Sequence, residues 1–517
     1  MKVWGHASVG LIGAMMVIFG VLLIPMVTNM ILVYVVKQIM LVCPCSQLYP
    51  AWKEPSNNVP LYQSFYFLEI QNPDQALKGA KPIMKEVGPY TYNLTMYRNA
   101  KEWNLNNTVT YTQPIWYEFV RSHSVGSDED VITTINFPFV AAANSVKYNS
   151  TFLKMMISSI AVTTKTTLFK RLKIKEILWG YYDPFLNESQ KFAGKKLIPD
   201  DHFGFLMGRN GTTNGLYNSF TGVDDYRKVA KIEYWNNTNS LNWWCSEEAN
   251  MINGTDGTMF HPFIDKSEVL YLFNPDTCRS LPYIYKEDTS YLGIPLHHYY
   301  VPPYVYANST MYPPNEEFCQ KHSRFSGVFN TSACSRGAPM GLSNPHFLYG
   351  SKDLQESIDG LNPNVSLHES FFQIEPIMGM PYIFAERLQI NLFVESIPHI
   401  TGTGNVRSFY YPFLWFEEKV IVKMEDAMKY KDNILKINTI VFNLKIVLSI
   451  IGGALILLAI VFISKKVVSP VRRDRDELKN ATREPVKDVP GSTLIVNDNQ
   501  TYQNRDSDET SPLLHTA

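Results

Sequence analysis

This chain has almost no net charge, few cysteines, and none of the short catalytic signatures that declare an enzyme. It balances 47 Lys and Arg against 48 Asp and Glu over 517 residues. No basic stripe interleaved with aromatics occurs, which argues against a nucleic-acid partner. Gly-x-Ser-x-Gly and His-Glu-x-x-His are absent, and so is a phosphate-cradling loop. The expectation is a protein that is not an enzyme and needs no cofactor. Histidine is also scarce, with none between His123 and His202.

The six cysteines fall into two groups. Cys245, Cys278, Cys319 and Cys334 share one stretch whose wide, irregular spacing lacks the Cys-x-x-Cys of a zinc site. The nearby His261, His297, His298 and His322 show no recurrent ligand spacing, so no metal is expected. Disulfides formed in an oxidising compartment are the better reading, with three pairings open. Cys43 and Cys45 flank a proline, and so short a loop disfavours an unstrained internal bond. A bond between chains or free thiols are the alternatives, and a homo-oligomer stays open.

What the chain does have is one long uncharged apolar run near each end. The first opens at Val9 and continues to Val27, with hydrophobicity resuming from Met30 to Val36; the second covers Ile446 to Ile463. Eighteen or nineteen helical residues cover roughly 27 to 29 Å, close to the thickness of a hydrocarbon core. The first run exceeds a usual signal-peptide core and lacks a small-x-small cleavage pattern, so an uncleaved anchor is expected. Lys465, Lys466, Arg472, Arg473 and Arg475 follow the second run, which places the C-terminus in the cytosol and, across two spans, the N-terminus there too.

Between the runs Asn-x-Ser/Thr occurs ten times, at Asn93, Asn106, Asn149, Asn187, Asn210, Asn236, Asn253, Asn308, Asn330 and Asn364. Such density fits a lumenal or extracellular domain. Asn480 and Asn499 fall in the expected cytosolic tail and should stay bare. The expected order is a cytosolic N-terminus at 1–8, a span at 9–36, a glycosylated ectodomain at 37–439, a span at 440–464, and a disordered cytosolic tail at 465–517.

Short aromatic and β-branched runs punctuated by Pro, Gly and Asn dominate the ectodomain: Ser64 to Gln71, Tyr90 to Tyr92, Thr108 to Thr112, Val131 to Phe137, Gln389 to Glu395 and Val420 to Met424. They predict a large antiparallel sheet or barrel. From Thr151 to Leu178 the pattern changes. Phe152, Met155, Met156 and Ile160 keep helical spacing, and Lys165, Lys170, Arg171, Lys173 and Lys175 follow closely. Either feature alone reads as core packing or a solvated face; together, an apolar helix with a basic cap suits an anionic amphiphile.

Several segments then align in order with a known family: Gln71 to Ala76 (QNPDQA), Val87 to Tyr92 (VGPYTY), Ile177 to Pro184 (ILWGYYDP), Met251 to Asp256 (MINGTD), Cys278 to Ser280 (CRS), Pro345 to Tyr349 (PHFLY), Ile358 to Pro363 (IDGLNP) and Arg387 to Asn391 (RLQIN). The chain resembles the class B scavenger receptors, which include the lysosomal integral membrane protein type two. The resemblance implies an α+β membrane protein: two transmembrane helices flank an antiparallel β-barrel-like ectodomain with an apical helical bundle and an apolar tunnel. It implies a receptor and conduit for lipoprotein, fatty acid, sterol or phospholipid, with Lys165 on a lysine implicated in ligand binding. Phe152, Met156, Ile160 and Leu168 are the apolar contacts expected beside it. Thr163 stands where some members carry a second lysine. The resemblance also implies the pairs Cys278 with Cys334 and Cys245 with Cys319.

Near the C-terminus Glu509 precedes Leu513 and Leu514 by the four-residue interval of an acidic dileucine signal. Such a peptide docks its leucines in an adaptor groove, here that of a clathrin adaptor complex. The lysosomal member of the family ends similarly, which implies lysosome or late endosome, with cycling through the plasma membrane. The alternative function implied is a sorting receptor for a soluble lysosomal protein.

Overall fold

The computed structural model describes residues 2–194, 198, 200–319, 324–432 and 436–481. Its contacts divide into a unit of residues 1–23 with 445–517, and a unit of residues 24–444. The sorting residues Glu509, Leu513 and Leu514 lie outside the described residues.

Among the described residues two helices are long and apolar enough to cross a membrane, Ala7–Ile39 and Thr439–Lys466. The first contains a π-turn at Phe19–Leu23, immediately before Pro25. Proline has no N–H to donate, so the ladder has to be re-spaced there. The second helix, Lys436–Ala481, does not stop at the basic cluster. The disorder expected from residue 465 is therefore corrected: the segment to Ala481 is helical, and its Lys, Arg, Glu and Leu are good helix formers.

In the larger unit an eleven-stranded sheet dominates, and its registered strand pairs are all antiparallel. The strands Met380–Val394, Phe409–Ile421, Leu61–Ile70 and Met84–Met96 run side by side at its centre. Strand Leu270–Asn274 forms one edge of the main path and Ile115–Phe119 the other. Residues from both ends nevertheless share one core, with Leu270 and Leu272 joining Phe65, Tyr92 and Leu414 around partly buried Ile115 and Tyr117. The sheet is rolled on itself, as twisted sheets of this width tend to be. The strand expected at Val420 to Met424 is corrected: Ile421 ends its strand, and Met424–Tyr430 is helical.

A second core lies under three short helices, Phe137–Ser145, Thr151–Thr163 and Pro184–Ala193. Each begins at a residue suited to capping: Asn136, Ser150 and Asp183 accept backbone N–H groups of the first turn. Phe139 and Phe185 meet edge to face at 5.5 Å and tie two of them together.

Three disulfides are present. Cys245 bonds Cys319 and Cys278 bonds Cys334, with Cα separations of 5.5 and 6.3 Å. Cys43 bonds Cys45, which corrects the expectation against an internal bridge. The backbone around Pro44 holds the two Cα atoms 5.2 Å apart, inside the range a disulfide requires.

Candidate functional site

The helical crown differs from the expected basic-capped helix in a specific way. Across Thr151 to Leu178 helices form at Thr151–Thr163 and Ile174–Trp179, but Phe169–Lys173 between them is a strand paired with Val131–Ile135. Thr164, Thr166 and Thr167, with Lys165 among them, separate the first helix from the strand, and β-branched residues favour leaving the helix. Lys165 sits in that turn with φ +54°. Its N–H donates to the Val162 carbonyl at 3.2 Å, and the Thr166 N–H to the Ala161 carbonyl at 2.7 Å. This is the double closure of a Schellman motif, with lysine where glycine is usual.

The apolar residues separate onto two faces. Ile160 and Leu168 are buried in the second core, with Met156 packed beside them. Phe152, by contrast, is 74 % exposed, and Met155 and Val162 on the same stripe are 58 % and 68 % exposed. The basic residues separate too. Lys170 donates to buried Asp183 at 3.1 Å, and Lys173 and Lys175 both pair with Glu129. Lys165 and Arg171 remain exposed on the surface. Of the sequon asparagines, Asn106, Asn149, Asn210, Asn236 and Asn364 are exposed and Asn308 is buried.

Sequence reasoning missed the interior of the sheet. Alternation along strand Leu61–Ile70 turns Leu61, Gln63 and Phe65 to one face, and the register places them opposite Val420, Glu418 and Phe416 of the neighbouring strand. That face borders two successive cavities. One, of about 170 Å³, is lined by Gln63, Phe65, Phe416, Ile390, Leu342 and Phe205. The other, of about 150 Å³, is lined by Leu61, Glu418, Val420, Phe384, Met96 and Trp52. Both linings are mainly apolar, and the Gln63–Glu418 pair stands where one gives way to the other.

Two polar features punctuate this face. Arg98 and Asp256 form an ion pair at the second cavity, with Arg98 also donating to the Trp52 carbonyl and to Thr258 Oγ1 at 2.8 Å. Burial opposes both charges, but their attraction prevails and holds the Asp256 carboxyl below its usual range. The second feature is Glu386, directly opposite Glu418 in the strand register. Burial, then the Glu418 charge, pushes Glu386 up to about 8. Burial, then Asp276, pushes Glu418 up to about 7. On the other face of the same two strands Arg387 faces Glu417 and bonds it at 2.8 Å, the complementary arrangement that a like pair forgoes. The available signal was a glutamate inside a strand as apolar as Met380–Val394, since ionisable residues are almost never fully buried without a partner.

Comparison with known proteins places the chain. The model of the CD36 family matches residues 11–463. Rat scavenger receptor class B member 1 is 34% identical over 459 residues, 89% of this chain and 89% of its own length. Rat lysosome membrane protein 2 is 35% identical over 413 residues, 79% of this chain and 84% of its own, and the human protein is 34% identical over the same length. With two apolar terminal helices around a rolled antiparallel sheet and a match over nearly its whole length, this chain belongs to the CD36 family of two-span membrane proteins.

Proposed function

We propose that this protein is a membrane-anchored lipid receptor and conduit that takes up fatty acid, sterol, phospholipid or lipoprotein-borne lipid and passes it through the ectodomain toward the bilayer. One observation carries the reading: two successive, mainly apolar cavities share the inner face of strands Leu61–Ile70 and Phe409–Ile421. The second cavity is lined by Leu48, Trp52, Pro55 and Val59, soon after the first apolar helix in sequence, and by Val422, just before the chain heads for the second. An apolar lining shelters an acyl chain at about 0.8 kcal/mol per methylene removed from water, and discriminates little among tails. Such a path needs no catalytic residue. The scavenger-receptor relatives add support for a receptor of this class.

In this reading both termini are cytosolic, segments 9–36 and 440–464 span the membrane, and Glu509, Leu513 and Leu514 recruit a clathrin adaptor that delivers the protein to lysosomes and late endosomes. Purified, glycosylated protein should carry sterol, phospholipid or fatty acid identifiable by mass spectrometry. A preparation that neither carries nor accepts any of these removes the proposal.

The exposed stripe of Phe152, Met155 and Val162 favours a second reading, a sorting receptor for a soluble lysosomal protein docked on the crown. A lysosomal hydrolase that co-purifies at neutral pH and leaves in acid would favour it. No histidine lies between His123 and His202 to supply that pH response from the crown helices.

A further inference from the structure

The row Glu386, Glu418, Gln63 and Tyr92 crosses four adjacent strands at one level, by the strand registers. Glu418 borders the second cavity and Gln63 the first. Glu386 is 3 % exposed and Gln63 8 %, and Oε1 of each has no hydrogen-bond partner. The fully buried Tyr283 hydroxyl, close enough to feel the charge of both glutamates, is also unpartnered. Native interiors rarely leave one such atom unsatisfied, and here Gln63 borders the first cavity while Glu386 stands beside cavity-lining Glu418 in the register.

We propose that this row is a charge filter within the passage: it accepts the polar end of a neutral, hydroxyl-bearing amphiphile and holds back an anionic headgroup, the barrier falling in acid. The inference rests on the conduit reading above. Acceptor oxygens of Gln63 and Glu418 suit a hydroxyl donor, while Glu418 in the lining and Glu386 facing it from the next strand repel an anion in a low-dielectric surrounding where little screens them. Other charges near the row do not cancel this. Asp276 is paired with Arg209 at 2.5 Å, and Asp256 with Arg98. Tyr283, Tyr306 and Tyr117, also facing the carboxylates, are pushed above the ordinary phenol range by burial and stay neutral. Asn274 reaches Glu386 from the edge strand and adds no charge. With Glu418 near 7 and Glu386 near 8, the pair passes from charged to neutral between mildly alkaline and lysosomal pH.

The test uses the full-length protein in nanodiscs and two probes whose own charge does not titrate, hexadecanol and hexadecyl sulfonate. Hexadecanol should bind equally at pH 8 and pH 5. The sulfonate should bind more tightly at pH 5, on the order of tenfold or more, and E386Q/E418Q should remove that step by raising its affinity at pH 8. A wild-type sulfonate affinity that ignores pH, or a step that survives in E386Q/E418Q, overturns the filter, the first without needing any variant. Failure of hexadecanol to bind at either pH instead overturns the conduit itself.

Discussion

Gly13 and Gly452 meet backbone to backbone: a Cβ on either would fall 2.7 Å from the other's carbonyl oxygen. Gly10 against Ala459 and Gly20 against Leu448 continue the contact, and the pairing runs antiparallel because one number rises as the other falls. Small residues are the usual means of close helix approach where lipid supplies no hydrophobic drive.

Cysteines at positions 10 and 459 should therefore join in an oxidative cross-link, since a Cβ on Gly10 would lie 3.0 Å from that of Ala459. Adding Gly452→Leu should lose most of the cross-link, because overpacking a close contact costs about 1–3 kcal/mol. An undiminished yield would contradict the glycine interface.

Lys165 combines strain and charge, and two substitutions separate them. A lysine in the left-handed region costs about 1 kcal/mol that glycine avoids, offset in part by the entropy glycine loses on folding. Lys165→Gly should thus raise stability by about 0.5 kcal/mol while weakening uptake of an anionic lipid. Lys165→Glu should weaken uptake further without that gain. Uptake unchanged in both, measured with radiolabelled oleate, would remove Lys165 from the binding surface.

Buried Glu386 and half-buried Glu418 make folding stability pH-dependent. Their folded values lie above the ordinary carboxylate range, so the folded state holds protons that the unfolded chain releases. Their stabilisation is complete below about pH 4.5 and is lost as pH rises through 7 and 8. His368 acts in the opposite sense. Burial, with His346 stacked at 4.5 Å, drives it down to about 4, and its Nδ1 already accepts the Asn364 N–H at 3.0 Å. An unfolded histidine takes its proton near 6.5, so this residue costs stability as pH falls from there toward 4. Denaturant midpoints should peak in mildly acidic solution and fall on both sides. E386Q/E418Q should flatten the alkaline limb, worth on the order of 3 kcal/mol, and leave the acidic limb in place.

In the proposed reading, location rests on the tail, so Leu513→Ala with Leu514→Ala should shift the protein toward the cell surface, read by surface biotinylation. An unchanged distribution would assign sorting to another segment.

The large features of this fold were legible because they are local. Two uncharged runs, the ten sequons between them, and strand-length apolar segments each announce themselves within twenty residues. Contacts set by register were not. Glu386 and Glu418 are separated by thirty-two positions and meet because two long strands pair in one alignment. Helical spacing at Phe152 to Ile160 was real, yet it could not reveal which apolar residues face the core, nor that Phe169–Lys173 would be drawn into a strand by Val131–Ile135. The lysines looked like one basic cap because their partners, Asp183 and Glu129, lie on segments that only folding brings near.

The central claim is the lipid path, and photo-crosslinking tests it most directly. Sterol and fatty-acid probes would be applied to the purified, glycosylated protein, with excess unlabelled lipid as competitor, and the labelled peptides mapped. The account predicts saturable labelling on the inner face of strands Leu61–Ile70 and Phe409–Ile421, at Phe65, Phe416 and Val420. Labelling that is absent, that lipid does not compete, or that is confined to the crown at Phe152 and Met155 would contradict it.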